Sequence, residues 1–435
     1  MPKQTSSRTE RLRVFMNSQE VGYLDREHSG ALSFQYSKNW LERESPLPIS
    51  RRLLLRPDPY VGKTVRNYFD NLLPDDRRVR ERIAAKTQAN GTQPFDLLSA
   101  VGRDCVGALQ FYPGDQEPSP MKPARGKPLS DQEIAELIRG LRLHPLGINL
   151  EEDFRISLAG AQSKTALLFS EGRWLRPIGA TPTTHIFKPT IGPVVDGPDL
   201  SLSVENEWLC LKIVQAFDLP AAKAELARFE DVKVLIVERF DRKWVGNKLY
   251  RIPQEDMCQA LGFGTEEKYQ ADGGPGIRDI LSLLNESDQR DRDRRIFMKS
   301  QIVFWLLAAI DGHAKNFSIF IRPNGFELTP LYDVMSGDPH VNPKTLPHQK
   351  IKLAMAVGDN RRYRVNEVLR RHWLQTAGSS KFADIDALLE EICNAVPKVI
   401  ELVSAEIPSG FPASVSDSIF KAIQTRTAKL SSSNS

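Results

Sequence analysis

The stretch Ile302-Val303-Phe304-Trp305-Leu306-Leu307-Ala308-Ala309-Ile310 runs without a polar residue into Asp311-Gly312-His313-Ala314-Lys315-Asn316, and Leu331-Tyr332-Asp333 follows soon after. An unbroken apolar run of this kind is buried, so it delivers the Asp311 carboxylate to the rim of a core. Between the two loops, Phe317-Ser318-Ile319-Phe320-Ile321 reads as a strand, Arg322-Pro323-Asn324-Gly325 as a turn and residues 326–331 as the returning strand, which would bring Asp333 back beside Asn316. A carboxylate, an asparagine five positions on and a second carboxylate beyond a hairpin suit phosphoryl transfer. Asp311 would accept or orient the proton of an acceptor hydroxyl. Asn316 and Asp333 would offer hard oxygen ligands to magnesium on nucleotide phosphates. The competing reading makes Asp311 a helix or turn cap and Asp333 one surface acid among many, and the order of elements along the chain decides between them.

Working outward, His185-Ile186-Phe187-Lys188 is an apolar strand ending in a lysine. A kinase carries on such a strand the lysine that pairs the phosphates and is held by a helix glutamate. The helix predicted over 204–217 offers Glu205 and Glu207, of which Glu207 is the expected partner. Residues 154–158 read as a strand, 159–164 as a small-residue loop and 165–169 as a second strand, the layout of a loop that covers phosphates. One glycine stands where three are usual and the P-loop ending is missing, so a plain hairpin is the alternative. Residues 232–237 form a β-branched strand followed at once by Glu238-Arg239-Phe240-Asp241-Arg242, where the hinge and adenine edge of a two-lobed kinase would fall. From Gln254 onward the pattern turns helical: 254–259, a long helix ending at Ile310, then 365–376, 383–396 and 415–430. Residues 272–276 read as a turn between helices, and the charged run 288–295 as solvated surface.

At the other end, residues 12–15, 21–24 and 32–36 alternate as a small antiparallel sheet, and a helix over 65–73 stops before Pro74. The next helix, led by Asp75-Asp76, carries Arg77, Arg78, Arg80 and Arg82, and reads as a solvated face before a nucleic-acid face. A further helix begins at Phe95, a strand covers 106–111, and Ser130-Asp131-Gln132-Glu133 is a capping box. Residues 113–128 are rich in proline and almost free of apolar side chains, which marks a connector. The expected organisation is an N-terminal subdomain over 1–112, the connector, a nucleotide-binding lobe over 129–253 and a helical lobe over 254–435. The expected fold class is α+β, a two-lobed protein-kinase-like fold with a sheet-rich N-terminal half, an extra small β/α subdomain and an all-helical C-terminal lobe.

The chain has 435 residues, 40% hydrophobic and 26% charged, which is the balance of an ordinary globular protein with more than one core. Cys105, Cys210, Cys258 and Cys393 make no close pair with metal or redox spacing, which implies a reducing compartment. No apolar run reaches the ≈ 20 residues that a membrane span needs, and no leader pattern opens the chain, so the expectation is cytoplasmic with no membrane partner. A net charge of +4 permits an anionic partner without demanding one.

With these parts in kinase order, the sequence resembles the HipA-type serine/threonine kinases, toxins of bacterial toxin–antitoxin pairs. The resemblance spans nearly the whole chain. It rests on Phe69-Asp70-Asn71-Leu72-Leu73-Pro74, Pro94-Phe95-Asp96-Leu97-Leu98, Phe154-Arg155-Ile156-Ser157 with Ala159-Gly160-Ala161-Gln162, Glu238-Arg239-Phe240-Asp241-Arg242, Gln254-Glu255-Asp256-Met257-Cys258-Gln259, the loop from Asp311 to Asn316, and Tyr332-Asp333. It implies ATP and Mg2+ as cofactors, Asp311 as catalytic base, and Asn316 and Asp333 as magnesium ligands. It further implies that Ala159, Gly160, Ala161, Gln162, Ser163 and Lys164 cover the phosphates, that Lys188 binds them, and that Glu238, Arg239 and Phe240 hold the adenine. His313, Ala314, Lys315 and Tyr332 would complete the nucleotide site, and Ser157 would be autophosphorylated. The family resemblance also implies phosphorylation of glutamate–tRNA ligase with growth arrest and persistence. Its other implied partners are a HipB-like helix-turn-helix antitoxin and, through that complex, operator DNA. The stretch matching a basic DNA-contacting segment, Gly378-Ser379-Ser380-Lys381, carries a single basic residue, which argues against direct contact. The alternatives are a non-catalytic DNA-binding co-repressor and a small-molecule or lipid kinase. Intact Lys188, Asp311, Asn316 and Asp333 favour catalysis over the former.

Overall fold

The computed structural model describes residues 9–114, 116–118, 122–142, 164–193, 197–341, 344 and 346–431. The chain divides into two compact units, one made of residues 1–187, 239–266 and 320–324 and the other of 188–238, 267–319 and 325–435. The first unit opens with strands β1 (Glu10–Met16), β2 (Gln19–Arg26), β3 (Leu32–Tyr36), β4 (Tyr60–Val61) and β5 (Leu109–Pro113), in the sheet order β4-β3-β2-β1-β5. Each neighbouring pair is antiparallel. Asn17 and Ser18 both take positive φ, as a tight hairpin turn between β1 and β2 requires. Helices α1 (Lys38–Leu41), α2 (Lys63–Asp70), α3 (Arg77–Thr87) and α4 (Pro94–Val101) accompany the sheet. The alternating side chains Leu12, Val14, Leu24 and Phe34 bury with Phe69, Leu97 and Phe111 in one core, and the Phe69 ring stands 5.7 Å from both Phe34 and Phe111. On α3, Arg77 and Arg78 are exposed while Arg80 turns back to Asp70 at 2.6 Å.

The end of the proline-rich connector is itself a strand, β6 (Gly126–Pro128), and after it come α5 (Asp131–Arg139), β7 (Thr165–Ser170), β8 (Arg173–Pro177) and β9 (His185–Pro189). Successive pairs β6–β8, β8–β7 and β7–β9 are antiparallel. The capping box on α5 forms as read, with Ser130 Oγ accepting from the Glu133 N–H and the Glu133 carboxylate accepting from the Ser130 N–H.

The second unit takes up the chain at Lys188 with β10 (Gly192–Pro193), β11 (Asp199–Leu200), α6 (Ser203–Ala216), β12 (Ala224–Phe229) and β13 (Val232–Glu238). Residues 203–211 of α6 are buried without a break, so this helix is covered all round and can place several polar side chains in a dry interior.

The return to the first unit brings β14 (Arg242–Val245), β15 (Lys248–Arg251), β16 (Gln254–Asp256) and α7 (Met257–Leu261). The sequence reads 254–259 as helical throughout. In the structure the first three residues are strand and Asp256 becomes the N-cap of α7, forming a capping box with Gln259. This return segment is gripped by the N-terminal subdomain. Asn17 exchanges two 2.9 Å hydrogen bonds with the Arg251 backbone, Asn67 and Asn71 donate to Gly262 O and Phe263 O at 2.9 Å, and Gln259 donates to Tyr68 O. Gly107, at φ 73°, lies so close that a Cβ there would stand 2.9 Å from Gln254 O.

The remainder of the chain supplies α8 (Ile277–Leu283), α9 (Arg290–Leu306), β17 (Ser318–Ile321), β18 (Phe326–Leu328), β19 (Lys352–Val357), β20 (Arg362–Arg364), α10 (Arg370–Ser379), α11 (Ile385–Glu406) and α12 (Ala413–Ser431). The expected hairpin after Asn316 is present, Thr329 N–H donating to Ser318 O. The hairpin β19–β20 was not read from the sequence, because residues 353–357 are all buried and show no alternation. Helix α9 ends at Leu306 and not at Ile310. Ala308 adopts a left-handed φ of 47°, and Ala308 and Ala309 N–H groups close back on Trp305 O and Phe304 O, the pattern of a Schellman cap. Helix α11 continues past Val396 through Pro397, which lies on its exposed face while Val399 and Val403 bury on the other; packing outweighs the lost hydrogen bond.

The reading of 288–295 as solvated surface fails at two residues. Asp293 is fully buried, accepting from Ser287 Oγ at 2.6 Å and from the Leu328 N–H at 2.8 Å. Arg294 donates to the carbonyls of Leu281, Ser380 and Lys381. Among the described residues no helix is long and apolar enough to cross a membrane.

Candidate active site

Lys188 lies at the end of β9, and its buried ammonium is 2.6 Å from Glu207 Oε1 and 2.9 Å from Asp333 Oδ1. Burial works against the lysine charge, but the Asp333 and Glu207 carboxylates outweigh it and hold the group above the ordinary lysine range. Helix geometry explains why one glutamate is chosen. Residues two apart point about 200° apart around an α-helix, so Glu205 and Glu207 cannot share a partner. Glu207 takes Lys188, and Glu205 pairs with Lys233 on β13.

The loop after α9 is folded on itself. Asn316 Nδ2 donates to Asp311 O at 2.7 Å, His313 N–H to Asp311 O at 2.8 Å, and Asn316 N–H to His313 O at 2.9 Å. Gly312 packs against Phe304, where a Cβ would stand 2.8 Å from the ring. The Asp311 side chain remains 46% exposed, and its Oδ1 accepts a hydrogen bond from the Tyr269 hydroxyl. His313 Nε2 is 3.6 Å from the same oxygen, and its ring meets Tyr269 edge-on at 4.9 Å. Tyr269 was missed in the sequence. It lies 42 positions from Asp311 in an irregular segment, and no local pattern there announces a site.

The two halves of the site join through Tyr332. Its hydroxyl donates to Lys315 O at 2.9 Å and meets Ser318 Oγ at 2.5 Å, which puts Asp333, the next residue, beside the loop that carries Asn316. A parallel bridge between Ala221 and Leu331 steadies the approach, and Asp333 itself has a left-handed φ of 58°. The structure therefore brings Lys188, His313, Ala314, Lys315, Asn316, Tyr332 and Asp333 into one connected cluster with Asp311. Asn316 has its Nδ2 committed to Asp311 O, which leaves the amide oxygen as its ligand atom, and Asp333 brings a carboxylate paired with Lys188 through Oδ1. Two hard oxygen donors on adjoining loops fit magnesium, which takes one or two protein oxygens and completes its shell with phosphate and water.

The other expected residues are placed differently. Arg239 has its guanidinium buried against Asp241, at 2.8 and 2.9 Å, and Thr183, so its side chain serves the interior of the first unit. Its backbone N–H donates to Thr184 O. Glu238 is exposed and its N–H donates to Lys223 O, while Phe240 packs edge-on against Phe320 at 5.8 Å. Lys164 is buried just ahead of β7. Ser157, Ala159, Gly160, Ala161, Gln162 and Ser163 lie outside the described residues.

Comparison with known proteins shows the family and the fold. Residues 12–112 match the HipA N-terminal domain and residues 156–400 the HipA-like C-terminal domain. The chain is 33% identical over 401 residues to Y4mE of Sinorhizobium fredii, provisionally named a kinase, covering 90% of this chain and 91% of that one. It is 26% identical over 369 residues to the serine/threonine-protein kinase toxin HipA of Shewanella oneidensis, covering 82% and 80% of the two chains. A solved structure of the Shewanella oneidensis HipA, HipB and operator DNA complex superposes with a TM-score of 0.79 at 22% identity, over 96% of each chain. The kinase-like α+β fold read from the sequence is thus the fold the chain has, and the chain belongs to the HipA family.

Proposed function

We propose that this chain is an ATP-dependent serine/threonine protein kinase and the toxin of a toxin–antitoxin pair. The observation that carries the reading is Lys188 held between Glu207 and Asp333, beside a loop that presents Asp311 and Asn316. In this reading Asp311 accepts the proton of the substrate hydroxyl, with Tyr269 orienting its carboxylate. Lys188 pairs the nucleotide phosphates, and Asn316 and Asp333 hold magnesium. Magnesium, when bound, supplies charge that offsets the phosphates. Glu238, Arg239 and Phe240 hold the adenine, residues 159–164 cover the phosphates, and His313, Ala314, Lys315 and Tyr332 shape the remaining wall. The domain limits proposed are 1–112, 113–128, 129–253 and 254–435.

The protein substrate proposed is glutamate–tRNA ligase, with growth arrest and persistence as the outcome, and Ser157 is the proposed autophosphorylation site. The proposed partner is a HipB-like antitoxin, with operator DNA reached through that complex in the cytoplasm; the Shewanella oneidensis homologue, solved with HipB and its operator DNA, supports this. The test is transfer of radiolabel from ATP by the purified chain to a cell lysate, with and without the antitoxin. A labelled protein band that the antitoxin suppresses supports the reading. Label confined to lipid or a small metabolite, or no transfer at all, overturns it.

A further inference from the structure

Asn206, the residue before Glu207 on α6, is fully buried and has no part in the chemistry described above. Its Nδ2 donates to Ser336 O at 2.8 Å and its Oδ1 accepts from the Ser336 N–H at 2.9 Å, so one side-chain amide closes a two-bond ring on the backbone of one residue. The second Nδ2 proton is directed to His340 Nε2 at 2.9 Å, and His340 Nδ1 in turn faces Asp199 O at 2.9 Å. Burial holds His340 below the ordinary histidine range, which suits a neutral ring that accepts at Nε2. Of the common side chains of this size, only an amide offers both a donor and an acceptor in this arrangement; a carboxylate lacks the donor and an aliphatic group lacks both.

What Asn206 grips is the joint of the site. Ser336 lies three residues after Asp333 and forms an antiparallel bridge with Ala309, two residues before Asp311. Gly337 N–H donates to Ala308 O at 2.9 Å, and Asp338, one residue further, makes two 2.7 Å bonds to the buried Arg426 of α12, which also donates to Leu306 O. Three pieces therefore meet at Ser336: α6 with Glu207 and hence Lys188, the segment carrying Asp333, and the end of α9 that delivers Asp311.

We infer that Asn206 is a positioning residue for phosphoryl transfer: by locking Ser336 to α6 it sets the spacing of Lys188, Asp333 and Asp311. The inference rests on the kinase reading above. It implies that α6 and residues 333–340 keep one arrangement with and without nucleotide.

The test compares wild type, Asp333→Ala and Asn206→Leu in the full chain. Steady-state kinetics would give kcat and KM, and calorimetry would give ATP affinity with Mg2+ and with chelator. For Asn206→Leu, kcat should fall about 100-fold, the scale that a displacement of about 1 Å carries. Its Mg·ATP affinity should drop towards that of Asp333→Ala, with affinity for metal-free ATP unchanged. A purely structural role would lower thermal stability but leave kcat and the metal-dependent part of binding intact in the folded fraction, and that result overturns the inference. Failure of wild type to bind Mg·ATP or transfer phosphate would instead bring down the kinase reading. Should Asn206→Leu not fold, hydrogen exchange on wild type decides the matter. Amides at 336–338 protected without nucleotide support the locked joint, and rapid exchange there overturns it.

Discussion

The carboxylate of Asp311 keeps nearly half of its surface in solvent while Tyr269 and the loop backbone hold its orientation. A group placed this way can reach an acceptor hydroxyl without being needed to bind nucleotide. Asp311→Asn should therefore lower kcat by about 10²–10⁴-fold, the range for loss of a general base. Its Mg·ATP affinity by calorimetry should match wild type. Glu255 shows a second residue-level effect. It is buried, and although Arg51 N–H donates to its Oε1 at 2.8 Å, burial raises its pKa to about 8. A carboxyl whose folded pKa lies above its unfolded value binds more protons when folded, so its contribution to stability is full below the unfolded value and is lost as pH rises through the folded one. Wild type should therefore lose stability between about pH 4.5 and 8 from this residue. Glu255→Gln, which keeps the acceptor and cannot ionise, should flatten the melting temperature across that window; an unchanged slope would count against the assignment.

Elements are joined here by buried polar side chains as much as by apolar faces. Asp293 ties the first turn of α9 to β18, the strand that leads back to Asp333, by accepting the Leu328 N–H and the Ser287 hydroxyl. Removing it strands two buried donors, each worth about 1–3 kcal/mol when left unpaired. Asp293→Ala should lower the unfolding free energy in urea by a few kcal/mol and lower activity with it, since the displaced strand leads to Asp333, the proposed metal ligand. The charged run 288–295 that contains Asp293 looks like surface in sequence because six of its neighbours there are charged too; only the packing of β18 against this turn makes Asp293 interior.

On the scale of the whole molecule, the N-terminal subdomain and the return segment share a buried charge network in the first unit. Asp104 pairs with Arg251 at 2.8 Å and approaches Arg242 at 3.5 Å, while Asp241 accepts from Arg239, Arg242 and the Gly107 N–H. Burial and the nearby Arg239 hold Arg242 below the ordinary arginine range, the mark of a cation kept dry among others. Loss of one anion leaves its partners buried and uncompensated, so Asp104→Ala should cost about 3–5 kcal/mol in denaturant unfolding. A chain cut after residue 112 should lose more than a module, because the bonds from Asn17, Asn67, Asn71 and Tyr68 to residues 251–263 would go with it.

The amino-acid sequence by itself determined the elements and the chemistry that each could carry. Apolar runs and periodicity marked β9, α6, β13 and α9, turn residues marked the hairpin after Asn316, and the spacing of Asp311, Asn316 and Asp333 named a reaction class. These are local properties, set by side-chain burial and backbone geometry within a few residues. Tertiary structure alone decided that Tyr269 leans on Asp311, that Asp293 is interior and that α9 stops short at Leu306. It also decided that Arg239 turns inward and that Asn206 clamps Ser336, 130 positions away. Each of these depends on a partner far along the chain, and a hydrogen bond or ion pair leaves no periodic trace in the residues that make it.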